Sequence, residues 1–197
     1  VLNELPIEEI IDISGACLNS LDVKVLDKLR TFLHPGRGEL ILADNVILVE
    51  GYTEELLFKN YLHTYNYNWT VINVAGVMFE PYIRLCELLG KKTVVISDND
   101  KSENDGINPS TRYTNLKSIC DKTSIKLIEI DNTLETDLYN NGYLDDFKNY
   151  LTTHKTYPGI MIAKQNKKTE LAIKLIEEKI ELSDWHVVRR MMNEFGN

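Results

Sequence analysis

Carboxylates recur in this chain where an apolar run gives out. Glu50-Gly51 closes VILVE, with Glu54 four residues on. Asp98-Asn99-Asp100 closes TVVIS, and Asp131 followed by Glu135-Thr136-Asp137 comes after IKLIEI. An ionised carboxylate at the end of a buried strand is costly unless it is paired or bound to a cation. Several together raise one another's pKa until something positive neutralises them. Magnesium suits such a set, because it takes oxygen ligands from one or two carboxylates, waters and phosphate. Two such ions about 3.5–4 Å apart would clamp the attacking and leaving oxygens of a phosphodiester displacement. Each acid taken singly has a plainer role. Asp-Asn-Asp is good turn chemistry, Glu54 and Glu55 suit the dipole of a helix's first turn, and Glu135 and Asp137 suit a solvated helix start. Their recurrence at three strand ends is what points to a cation site. Gly51 permits a tight strand-to-helix turn, after which one helical turn returns Glu54 to the same rim.

The elements that must position these acids alternate. Apolar runs predict strands over 46–50, 70–74, 93–97 and 125–130. Helical periodicity covers 53–65, 79–89 and 113–120. It covers 134–151 with a break at Asn140-Asn141-Gly142, then 168–179 and 184–195. Strands separated by helices predict an α/β fold, a Rossmann-like parallel sheet of about four strands flanked by helices. The functional crevice of such a sheet lies at the carboxyl ends of its strands. Before it, Ile7, Ile10, Ile11, Leu21, Val25, Leu29 and Phe32 mark short helices, and His34-Pro35-Gly36-Arg37-Gly38 ends them. The expected division is therefore 1–38, a helical segment with its linker, and 39–197, the α/β domain with C-terminal helices. Trp185, Val188, Met191 and Met192 form a stripe on the last helix that is expected to be core, with a partner surface as the alternative.

The chain carries a net charge of −8, which argues against a general nucleic-acid coat but not against an enzyme whose acids gather at one site. Phosphate contacts would fall to isolated basic spots: Lys91-Lys92, Lys164 to Lys168, Lys174 and Arg189-Arg190. No apolar run approaches the roughly 20 residues of a bilayer span. Cys17, Cys86 and Cys120 are dispersed and odd in number, which predicts buried free thiols and a cytoplasmic protein. The start without Met predicts the C-terminal portion of a longer chain.

VILVEGYTEELL followed by a strand ending in DND resembles the TOPRIM domain of type IA topoisomerases, primases and related nucleases. GELILADNVILVEGYTEELL, NVAGVMFEPYIRLCELLG, TVVISDND, LETDL and NKKTELAIKL, in that order, resemble more specifically the overcoming-lysogenization-defect (OLD) family of endonucleases, Gabija A type defence proteins included. The resemblance covers roughly residues 39 to 180. It implies a metal-dependent DNA endonuclease with two ions, Mg2+ or Mn2+ and also Ca2+, bound by Glu50, Glu54, Asp98, Asp100, Glu135 and Asp137. Glu50, Asp98, Asp100 and Lys168 would be the catalytic set. Glu50 would support generation of the nucleophile, and Lys168 would stabilise charge on the phosphate. Lys164 and Lys167 compete for that assignment. The resemblance further implies a homo-oligomer (a dimer or higher), an antiphage role, and an ATPase domain elsewhere in the full-length chain. No GxxxxGK[ST] loop occurs in this one. Tyr52 departs from the small residue or Pro usual in the family.

Two other readings compete: a non-catalytic metal-binding assembly module, and a primase- or topoisomerase-like TOPRIM activity. A haloacid-dehalogenase reading of Asp-x-Asp fits poorly, because that motif ends a first strand and precedes Thr or Val, whereas Lys101 follows here, after the third.

Overall fold

The computed structural model describes residues 21–32, 39–76, 78–101, 106–144, 151–153, 161–163 and 168–195. Four runs of β-branched and aliphatic residues form strands β1 (Asn45–Val49), β2 (Thr70–Asn73), β3 (Lys92–Asp98) and β4 (Lys126–Ile130). They pair in parallel in the order β2-β1-β3-β4. The expected α/β architecture of about four parallel strands is the one observed, with strand ends shifted by a residue or two.

Alternation along β1 sends its side chains to two cores. Ile47 and Val49 face a cluster with Phe58, Val71, Val94, Ile96 and Trp185. Val46 and Leu48 face a second with Ile72, Val95, Tyr82, Ile83 and Leu85. Buried on both faces, the strands read as continuous apolar runs rather than alternating ones.

The first core is closed by helices α3 (Tyr52–Thr64), α7 (Lys168–Glu177) and α8 (His186–Phe195); the second by α4 (Phe79–Leu88) and α5 (Thr111–Cys120). Helix α1 (Val23–Phe32) inserts Leu29 into the second core beside Leu40 of the single turn α2 (Glu39–Leu42). Helix α6 (Leu134–Asn140) follows β4 and carries Leu134 and Leu138 into the first core.

The α8 stripe is core, as expected: Trp185, Val188 and Met191 are buried, and Met192 packs partly against them. Cys86 and Cys120 are free and buried, and burial pushes their thiols up to about 12 and about 11. Cys17 and the short helices expected around Ile7 to Ile11 lie outside the described residues. No helix among the described residues is long and apolar enough to cross a membrane.

One expectation fails. The helix from Leu134 breaks at Asn140-Asn141-Gly142 as expected, and residues 145–150 lie outside the described ones, but the helical continuation expected to about residue 151 does not hold at Leu151. Leu151 instead opens a short strand, β5 (Leu151–Thr153), paired antiparallel with β6 (Met161–Ala163). Leu-Thr-Thr carries two β-branched residues, which lose side-chain freedom in a helix and favour a strand.

Candidate metal centre

β1 and β3 are adjacent and parallel, so Glu50 and Asp98 leave the sheet on the same rim. The turn after β1 is tight: Gly51 caps α3 in an extended conformation, and Glu54 folds back over it. After β3 the chain reaches Asp100 in the left-handed region, φ 50°, which Asp tolerates better than most residues. Its amide donates to the Asn132 carbonyl at 2.9 Å. Thr133 caps α6 by accepting from the Thr136 amide at 3.3 Å, which sets Glu135 in the first turn. Glu135 is only 2% exposed.

Glu50, Glu54, Asp98 and Glu135 repel one another. Burial, and next the charges of Glu135 and Glu50, push Glu54 up to about 7 against the pull of its own backbone hydrogen bond. Asp98 is driven well above the usual carboxylate range, first by burial and then by Glu54, Glu135, Glu50 and Asp100. Asp98 Oδ1 is shut off from solvent and accepts no hydrogen bond. Glu135 Oε2 is likewise enclosed and lacks a well-aligned donor, although Lys168 Nζ stands 3.2 Å away as an ion pair. Burial is the largest single influence on Lys168 and disfavours its ammonium, yet the charge and hydrogen bond of Glu135 together with the charges of Asp98 and Glu54 outweigh it and raise its pKa. A carboxylate set with enclosed, unmatched oxygens fits a hard divalent cation. Among the described residues, however, no three His, Cys, Asp or Glu side chains already form a ligand cage.

Arg112 accounts for part of that difference. From the first turn of α5 its guanidinium donates to Glu50 at 2.5 Å and also to Asp100. Burial works against its charge, but the hydrogen bonds it donates to Asp100 and Glu50, together with the charges of those acids, prevail and raise its pKa. Sequence reading missed this residue. The available signal was a cation in a helix's first turn, where the dipole disfavours it.

Asn99 was also missed. It is fully buried and ties the ends of β3 and β4 together. Its Nδ2 donates to Glu129 at 2.6 Å and to Asp131 at 3.1 Å, and its Oδ1 accepts from the amides of Asn132 (2.7 Å) and Lys101 (3.3 Å).

Asp137 is placed differently from the other acids. Its oxygens accept from the Asp131 amide at 2.9 Å, from Asn141 Nδ2 at 2.6 Å and from His186 Nε2 at 2.7 Å. These bonds brace the rim from beneath. The basic spots are dispersed. Lys91 donates to the Ile41 carbonyl at 2.8 Å, Lys174 pairs with Glu177, and Arg189 pairs with Asp184. Lys91 and Lys92 lie at the start of β3, about 20 Å of strand away from Asp98, too far to hold a phosphate at the acidic rim. Lys164 and Lys167 lie outside the described residues.

Residues 41–100 match the family model described as the TOPRIM domain of overcoming-lysogenization-defect-protein-like proteins. This stretch is similar to an OLD-like TOPRIM domain. It contains Glu50, Glu54, Asp98 and Asp100 and ends before Arg112, Glu135 and Lys168. Over 90 residues the chain is 35% identical to a Bacillus cereus (strain HuB5-5) protein named Endonuclease GajA, a match covering 44% of this chain and 12% of that relative. The C-terminal region of the Burkholderia pseudomallei OLD protein is similar at 19% identity, over 77% of this chain and 81% of that one, with a TM-score of 0.44. The corresponding region from Xanthomonas campestris pv. campestris is similar at 20% identity, over 80% of each chain, with a TM-score of 0.40. The resemblance read from VEG and DND thus holds in the OLD-like TOPRIM segment. The fold itself rests on the strand order described above.

Proposed function

We propose that this chain is a divalent-metal-dependent nuclease domain that cleaves or nicks DNA phosphodiester bonds, within a longer ATPase-nuclease of antiphage type. The observation that carries the reading is the convergence of Glu50, Glu54, Asp98 and Glu135 on one strand-end rim, with Asp98 Oδ1 enclosed and unmatched. The match to an OLD-like TOPRIM model and the similarity to a protein named an endonuclease support it.

Glu50, Glu54, Asp98, Asp100 and Glu135 are the residues that would hold Mg2+ or Mn2+, two ions in our reading. A bound cation there would supply Lewis-acid charge against the phosphate oxygens. The chain's own residues do the rest. Lys168, held beside Glu135, presents a fixed positive charge where charge develops on phosphate. Glu50 is only partly buried and can orient a water. Asp137 and Asn99 keep the rim in register. Helix α1 is fastened to the domain by Leu29.

Incubating the chain with plasmid DNA and each of Mg2+, Mn2+ and Ca2+, beside Glu50→Gln and Asp98→Asn, tests the proposal. Metal-dependent nicking that both variants abolish is expected. Nicking that survives in both overturns it.

A further inference from the structure

Arg112 stands where a cation would be wanted. Its guanidinium joins Glu50, at the end of β1, to Asp100, beyond the end of β3, and no other described side chain bridges those two strand ends. Ser110 caps α5 by accepting from the Tyr113 amide at 3.2 Å, so Arg112 sits in the helix's first turn. That is an unfavourable place for a positive charge, and the two carboxylates offset the cost. The planar fork suits two oxygens on separate residues, as an ammonium would not.

The oxygens it uses, Glu50 Oε2 and Asp100 Oδ2, belong to two of the acids assigned above to the metal set. A guanidinium and a divalent ion compete for these oxygens and repel each other at that distance, because both are cations. Arg112 also lines a cavity of about 210 Å³ with Phe79, Glu80, Asn115, Leu116 and Ile119. That cavity gives the side chain room to leave, with Glu80 as a second carboxylate.

We propose that Arg112 is a resident counter-cation: it holds Glu50 and Asp100 together in the metal-free protein, and a divalent ion must displace it, so that Arg112 sets the threshold of metal uptake. The inference rests on the metal-centre reading above.

Two measurements on the full chain test it, neither of them an activity. The first is Mn2+ titration by calorimetry of the wild type and of Arg112→Gln, each shown to be folded by circular dichroism. The variant is expected to bind Mn2+ about tenfold more tightly or better, a factor of ten in the binding constant. Equal or weaker binding by the folded variant overturns the proposal. The second needs no variant for its result: the Arg112 guanidinium Nη–H signal in 15N NMR, assigned by its loss in Arg112→Lys. In EDTA it is expected to be protected from exchange, and saturating Mg2+ is expected to release it. Persistent protection at saturating Mg2+ also overturns the proposal, even if Arg112→Gln does not fold. If neither ion binds wild type or variant, and the amides of Glu50 and Asp98 do not respond, the metal-centre reading falls first and takes this one with it.

Discussion

A Cβ built on Gly51 would stand 2.8 Å from Oε2 of Glu54. The glycine is in extended backbone, φ −136°, so left-handed freedom is not what the position requires; it requires the missing side chain. Glu54 lies over it and is turned toward the other acids. Gly51→Ala is therefore expected to push Glu54 off the rim and to weaken Mn2+ binding by about tenfold or more. Stability should change by only about 0.5 kcal/mol, since Ala is a slightly poorer N-cap. Calorimetric titration and urea unfolding measure the two effects. Unchanged Mn2+ affinity would show that Glu54 is not a ligand.

The metal-free protein should lose stability as pH rises. Glu54 is raised from 4.5 to about 7 and Asp98 is raised as well. The native state therefore binds more protons than the unfolded chain between those limits, and stability falls with increasing pH there. The contribution from Glu54 is fully present below pH 4.5 and is gone above about pH 7. Thermal unfolding in EDTA from pH 4.5 to 8 should show this decline, and Glu54→Gln should flatten it. A melting temperature that climbs across that range in the wild type would contradict the crowding of carboxylates.

Lys168 and Glu135 form a lopsided pair, one side chain 38% exposed and the other 2%. Lys168→Met leaves the buried acid without its cation. In EDTA this should cost about 1–3 kcal/mol, less than for a fully buried pair because solvent screens the lysine end. Saturating Mg2+ should restore most of the loss, by putting another cation near the same oxygens. Urea unfolding with and without Mg2+ decides the point; an equal loss in both conditions would remove Glu135 from the ligand set.

Asn99 donates to two acids and accepts from two amides, and only an amide side chain can do both. Asn99→Asp replaces a donor by a charge beside Glu129 and Asp131. It is expected to destabilise the protein by about 2 kcal/mol or more at pH 7. Part of the loss should return as the pH falls toward about 4, where carboxylates begin to protonate. A variant as stable as the wild type at pH 7 would mean that Asn99 does not clip β3 to β4.

The rim of acids was legible because strand ends are legible. VILVE and TVVIS mark their own limits, and a parallel sheet sends those limits to one side. What lay hidden depended on pairings across distance. Arg112 is 62 positions from Glu50, and nothing in the local pattern of TRYTNLKS says that its side chain turns back to β1. Asn99 read as a turn residue between two aspartates, although it is the most enclosed of the three. Asp137 was grouped with Glu135 by sequence spacing, yet its hydrogen bonds run to His186, which lies 49 positions further on. The antiparallel β5–β6 pair was concealed because Leu151 read as the end of a helical pattern.

Central placement of β1 in the order β2-β1-β3-β4 bears on how the protein reaches its native state. Glu50 and Asp98 meet only after β1 and β3 have paired across two helices and the intervening β2, a slow step because loop closure precedes its reward. An early, partly collapsed chain therefore has neither the crowded acids nor a place for an ion. Metal can reward the finished sheet but cannot template it, so refolding rates should be indifferent to magnesium while unfolding rates are not.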